Sequence, residues 1–173
     1  MSLELVLFYL ASATAIFATL MTITRLNAAH ALLYLIASLL SVAVIFYLIG
    51  APFAASLEVI VYAGAIMVLF VFVIMMLNLG RQTVDQERQW LNPTIWIGPG
   101  IICAVLLAEI VILLAQKERL LETVVVTPKA VGISLFGPYL LAVELASMLL
   151  LAGLVGAYHL GRPLAKKQQG RDE

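Results

Sequence analysis

Residues 53–77 read FAASLEVIVYAGAIMVLFVFVIMML, a run of 25 in which Glu58 is the only charged residue. An α-helix rises about 1.5 Å per residue, so about 20 apolar residues cross a hydrocarbon core of roughly 30 Å, and a run of this kind is a membrane span. A carboxyl inside it is costly to keep there and marks a functional position.

The rest of the chain agrees. Of 173 residues 64% are hydrophobic and 12% charged, and the mean hydropathy is +1.09, more apolar surface than one soluble core of this size can hide. Four further apolar segments stand at about 3–24, 29–49, 94–115 and 138–160, with the third span at about 54–79. The expected fold is an all-α integral membrane protein with five transmembrane helices, forming one membrane domain over 1–163 with a polar tail at 164–173. Leu3 to Thr24 lacks a basic leader and is followed by Arg25 without an A-x-A site, so it reads as a retained span and not a signal peptide. Pro52, Pro93, Pro128, Pro138 and Pro163 fall in connections or at span ends, where a missing N–H costs little. Pro99, in Ile97-Gly98-Pro99-Gly100, either starts the fourth helix late or kinks its first turns. The longest connection, about Gln116 to Gly137, is too short for a soluble domain.

Arg25, Arg81, Arg88, Arg162, Lys166, Lys167 and Arg171 fall on one side of the membrane, and Lys117, Arg119 and Lys129 on the other. The positive-inside rule then places the N-terminus outside, in the periplasm, and the C-terminal tail in the cytoplasm. The basic residues form no stripe interleaved with aromatics, so nucleic acid is not an expected partner. Cys103 is the single cysteine and offers neither a disulfide nor a thiolate cluster. His30 and His159, at span ends on the cytoplasmic side without acidic or thiol partners at ligand spacing, read as interfacial residues, and no metal site is expected.

With this topology Glu58, Glu109 and Glu144 each lie five to seven residues from the outer end of a helix, about 7 to 11 Å inside the boundary. Burial favours the neutral form of a carboxyl, so such a group can take up and release a proton as its surroundings dry and wet. The alternative is that one or more snorkel outward or bond a neighbouring helix. Tyr62 is one α-helical turn deeper than Glu58 on the same face, and Ala65 continues that face with a small side chain. The phenol can carry a water chain onward from Glu58, or simply bond a neighbour. Gly64 costs a helix roughly 1 kcal/mol relative to Ala. It serves either close helix packing or a π-bulge, whose extra residue would rotate the bulky groups behind it, Met67, Val68 and Phe70 among them, and gate a water path by drying. In span 5, Ala142, Ala146, Gly153 and Ala157 form a small-residue stripe while Glu144 points elsewhere, so the helix is expected to touch two neighbours in a larger assembly.

The run Leu57-Glu58-Val59-Ile60-Val61-Tyr62-Ala63-Gly64-Ala65-Ile66-Met67-Val68-Leu69-Phe70-Val71-Phe72-Val73-Ile74-Met75-Met76-Leu77-Asn78 resembles the third helix of the J-subunit family of bacterial respiratory complex I, the proton-pumping NADH:quinone oxidoreductase. His30-Ala31-Leu32-Leu33-Tyr34-Leu35, Gln86-Glu87-Arg88-Gln89-Trp90-Leu91, Phe136-Gly137-Pro138-Tyr139 and Val143-Glu144-Leu145-Ala146-Ser147 support the likeness, which covers about residues 1–160. It implies a multi-pass inner-membrane subunit of the respiratory chain beside the quinone-reducing arm. Its third helix would bear a reversible π-bulge around Tyr62 to Met67 that makes or breaks a water link to the proton path. Glu109 falls outside that family pattern. By the same resemblance FMN, the iron–sulfur clusters, NADH oxidation and quinone reduction belong to partner subunits, the isolated chain has no activity, and its partners are other membrane-arm subunits and the lipid bilayer. A structural scaffold without a direct proton role is the competing reading. A stand-alone transporter is disfavoured, because five spans give no inverted pair of repeats.

Overall fold

The computed structural model describes residues 3–77, 93–115 and 125–161. The tail expected at 164–173, the Gln86 to Leu91 stretch and the basic residues Arg81, Arg88, Lys117, Arg119, Arg162, Lys166, Lys167 and Arg171 lie outside the described residues. Every described element is helical: α1 (Leu3–Thr24), α2 (Ala28–Leu48), α3 (Pro52–Leu57), a π-helix (Glu58–Ile66), α4 (Met67–Leu77), α5 (Pro93–Ala115), α6 (Pro128–Leu135) and α7 (Leu140–Gly161). Five helical spans are long and apolar enough to cross a membrane, the third being the continuous α3, π-helix and α4 from Pro52 to Met76.

The turns explain the boundaries. Asn27 caps α2, its Oδ1 accepting from the N–H groups of Ala29 at 2.9 Å and His30 at 3.3 Å, which satisfies two of the donors a helix start leaves free. At the other end Gly50 takes φ 85°, a region closed to most side chains. There its N–H bonds the Tyr47 carbonyl at 3.1 Å while that of Ala51 bonds the Phe46 carbonyl at 2.9 Å. This crossed pair is a Schellman ending, and Pro52 directly after it opens α3 at a position where a missing N–H is harmless. The Gly50 carbonyl also accepts from the Val126 N–H at 2.8 Å, tying the connection after α5 to this turn.

The chain divides into two compact units, 1–127 and 128–173. In the first, α1, α2 and α5 share the core. Ala18, Tyr34, Ala37, Ile102 and Leu106 make one buried cluster, and Leu7, Ala11, Val44 and Leu113 another. Each helix contributes a stripe at spacings of three and four, one face of a helix. Ala11, Ala15 and Ala18 are all buried and let α1 approach α2 closely. Across that contact the Thr19 and Ser38 hydroxyls lie 2.8 Å apart. Pro99 stands inside α5, so of the two expectations the late start is not what the helix does. Gly98 has a packing reason: a Cβ there would collide with the Tyr34 hydroxyl. The third span packs on α2 through α3, the π-helix and α4 alike.

In the second unit α6 packs on α7. α6 lies in the last part of what hydropathy marks as the connection 116–137. Thr127-Pro128 is a helix-start signal, with proline suited to the first turn. Between the helices the Tyr139 N–H bonds the Ser134 carbonyl at 3.1 Å and the Leu140 N–H that of Gly137 at 3.2 Å. A Cβ on Gly137 would lie 2.8 Å from the Ile133 carbonyl oxygen, so this turn requires glycine.

Candidate functional site

Glu58 ends α3 in α-helical geometry, φ −56° and ψ −46°, and the backbone from there to Ile66 winds as a π-helix. At its exit the Met67 N–H bonds both the Gly64 and the Tyr62 carbonyls, the latter five residues back. That i to i−5 bond is the signature of a widened turn, in which one more residue is fitted than an α-helix allows. Gly64 lies inside the widened segment. A Cβ built on it would stand 3.1 Å from the Val59 carbonyl oxygen, again five residues back, and only a residue without that atom avoids the contact.

The π-helix starts at Glu58, four residues before the Tyr62 to Met67 placement expected from the resemblance, and so includes the carboxyl-bearing residue itself. This alters the expected polar strip. In an unbroken α-helix Ala65 would stand within about 20° of Glu58, but one extra residue sets it back by roughly 100°. Ala65 therefore leaves the Glu58 face, whereas Tyr62, in the middle of the widened segment, stays on the Glu58 side.

The remaining expected residues separate by burial. Met67 is 4% exposed, while Glu58 and Gly64 are half-buried. Tyr62 is 50% exposed, and Val68 and Phe70 are exposed like it. Within this chain, then, Met67 is the one bulky residue of the expected gate that is packed away, and the Glu58–Tyr62 flank is open for neighbours to cover. Glu144 belongs to the second unit, exposed on α7, where its own carbonyl accepts from the Ser147 hydroxyl at 2.7 Å.

Two features carry more structure than the sequence reading gave them. Glu109, for which the sequence allows a proton role or snorkelling, is 1% exposed, and neither carboxyl oxygen has a hydrogen-bond partner among the described residues. It does not snorkel. Its signal was available: Ile102, Leu106, Glu109 and Leu113 repeat at four, three and four residues, one α-helical face. His30 lines a cavity of 470 Å³ with Thr24, Arg25, Asn27, Tyr34 and Gly98. There the Arg25 guanidinium lies 5.3 Å from the centre of the Tyr34 ring, a cation–π distance. Among the described residues, no group of three or more His, Cys, Asp or Glu is placed to hold a metal ion.

These features define a class: a multi-pass helical membrane protein whose third span carries a carboxyl at the start of a π-helix. The profile of the family described as NADH-ubiquinone/plastoquinone oxidoreductase chain 6 matches residues 18–160. The chain is similar to NADH-quinone oxidoreductase subunit J of Pseudomonas aeruginosa, 60% identical over 162 residues that cover 92% of this chain and 98% of that one. It is also 60% identical to the subunit J of Escherichia coli over 156 residues, 90% of this chain and 85% of the relative. A third subunit J, from Buchnera aphidicola subsp. Schizaphis graminum, is 51% identical over 156 residues, covering 90% and 96% of the two chains. The chain belongs to this family of NADH-quinone oxidoreductase membrane subunits.

Proposed function

We propose that this chain is a membrane-arm subunit of a proton-translocating NADH:quinone oxidoreductase, resident in the bacterial inner membrane with its N-terminus in the periplasm. Its third span couples quinone reduction to proton pumping. The observation that carries this reading is the π-helix from Glu58 to Ile66. An element with one residue too many per turn has a nearby alternative, the regular α-helix, and passing between the two turns everything beyond it by about 100°. Met67 would leave its buried seat against α2, and Val68 and Phe70 would sweep to new bearings. Bulky apolar groups moving into or out of a narrow passage wet and dry it. Glu58 and Tyr62, on one flank, supply the polar stations that such a passage would link, and Glu144 a further carboxyl on another helix.

In this reading NADH oxidation, FMN, the iron–sulfur clusters and quinone reduction belong to partner subunits, and the chain's own task is to hold and switch the proton link. The test is Gly64→Val in the assembled complex. Quinone-coupled proton pumping should be lost while NADH oxidation by an artificial acceptor persists, and normal pumping by an assembled variant overturns the gating role. A scaffold role without proton chemistry is favoured by one observation, the exposed apolar length of α7, which suits contact with neighbours. If scaffolding is all the chain does, Glu58→Gln and Tyr62→Phe leave pumping unchanged once assembly is confirmed, whereas a bulky residue at Ala146 or Gly153 prevents assembly.

A further inference from the structure

Glu109 is the one acidic side chain among the buried described residues, and the helices around it fix its level. Leu106, one turn before it, packs with Ala18 and Ala37, and Leu113, one turn after it, with Ala11 and Val44. Glu109 thus stands at the level of Ala15 on α1 and of Ser38 and Ser41 on α2, inside the bundle. The hydroxyls at this level have spent their protons. Ser41 donates to the Ala37 carbonyl at 2.8 Å, and the two protons of Ser38 and Thr19 are taken up between the Ala15 carbonyl, 3.2 and 2.9 Å away, and their own 2.8 Å hydroxyl contact. What they leave facing the interior is lone pairs. A carboxylate, which only accepts, finds nothing to satisfy it there, whereas a carboxylic acid brings its own donor.

Among the described residues no cation answers it either. The charged and titratable groups on the elements packed against α5 are Glu4 and Tyr9 on α1, Arg25 after it, and His30, Tyr34 and Tyr47 on α2. Of these only Tyr34 belongs to the buried stripe, one level away beside Leu106, and the Arg25 guanidinium lies over its ring. A crevice lies beside the site. Leu106, Ile110 and Leu113, which bracket Glu109 on α5, line a crevice of 300 Å³ whose far wall includes Ala55, Ser56 and Val59 of the third span. That is room for about ten waters, and its apolar walls admit them only transiently. Val59 is the immediate neighbour of Glu58, so the crevice lies between the helices that carry Glu58 and Glu109.

We propose that Glu109 is a proton-binding site separate from the Glu58–Tyr62 strip, a buried carboxylic acid whose ligand is a proton exchanged with water admitted through the α2, α5 and third-span crevice. What the proton then does rests on the proposed function; the site itself does not.

The test uses the assembled complex in detergent, a hydrophobic carbodiimide, which adds to protonated carboxyls, and peptide mass spectrometry. Glu109 should be modified at neutral pH, the modified fraction should fall several-fold as pH is raised, and added sodium chloride should leave it unchanged. Glu109→Gln should assemble in wild-type amounts and lose the modification completely. An unmodified Glu109 at saturating reagent overturns the proposal. So does protection by sodium, which would make a metal cation the occupant, and so does a Glu109→Gln complex that fails to assemble where Glu109→Asp succeeds, which would mean that a fixed carboxylate is required. Labelling is read without turnover, so this site and the pumping role can fail independently.

Discussion

Gly64→Ala is the smallest perturbation that separates the two windings of the third span. In an α-helix the added methyl is welcome, since Ala is favoured over Gly by roughly 1 kcal/mol. In the π-helix the same methyl stands 3.1 Å from the Val59 carbonyl oxygen, a few tenths of an ångström inside comfortable contact. Relieving that squeeze costs about 1 kcal/mol, the low end of overpacking penalties. The backbone preference for Ala applies to either winding and largely cancels between them, so the squeeze alone moves the balance toward the α-helix by about 1 kcal/mol, a factor of roughly 5 in population. Valine carries two further methyls into the same space and should hold the α form more completely. In inverted membrane vesicles with assembly verified, NADH-driven acidification should fall in the order wild type, Gly64→Ala, Gly64→Val, with artificial-acceptor oxidation constant across the series. The structure of the valine variant should show the Met67 N–H bonded to the Ala63 carbonyl in place of Tyr62. A valine variant that keeps the i to i−5 bond, or that pumps as the wild type does, refutes the argument.

Gly98→Ala should destabilise the first unit by about 1 to 3 kcal/mol, as overpacked sites do, because the new Cβ runs into the Tyr34 hydroxyl, while Gly100→Ala, with nothing within 4 Å, should not; thermal melting of the two assembled variants makes the comparison. A double-mutant cycle of Thr19→Val and Ser38→Ala should return a coupling of roughly 0.6 kcal/mol, typical of interhelical hydrogen bonds in membranes, and a value near zero would show that the 2.8 Å contact does not hold α1 to α2. Gly137→Ala should disturb the α6–α7 turn, where its Cβ would press on the Ile133 carbonyl at 2.8 Å, and should lower the yield of assembled complex relative to Gly132→Ala.

The five spans were legible because hydrophobicity is a property of long windows, insensitive to which way any one residue faces. The winding of the third span was legible only through Gly64 and the likeness to a known family: an i to i−5 bond leaves no periodic trace in a segment where nearly every position is apolar. That is why its start at Glu58 escaped, and with it the displacement of Ala65. The same uniformity blurred the fourth span, whose stripe from Ile102 to Leu113 was present but indistinguishable from its apolar surroundings except at Glu109. Helix α6 was hidden for the opposite reason, being too short and too polar at its start to stand out from a connection.

The buried clusters of the first unit are built from α1, α2 and α5, and the span between α2 and α5 in sequence contributes to neither. In the proposed switching, a change of its winding would leave those two clusters intact and would turn one helix on the outside of α2, unseating Met67. Folding and switching become separable degrees of freedom. On that reading the moving part would lie outside the two clusters, and substitutions that tune one need not disturb the other.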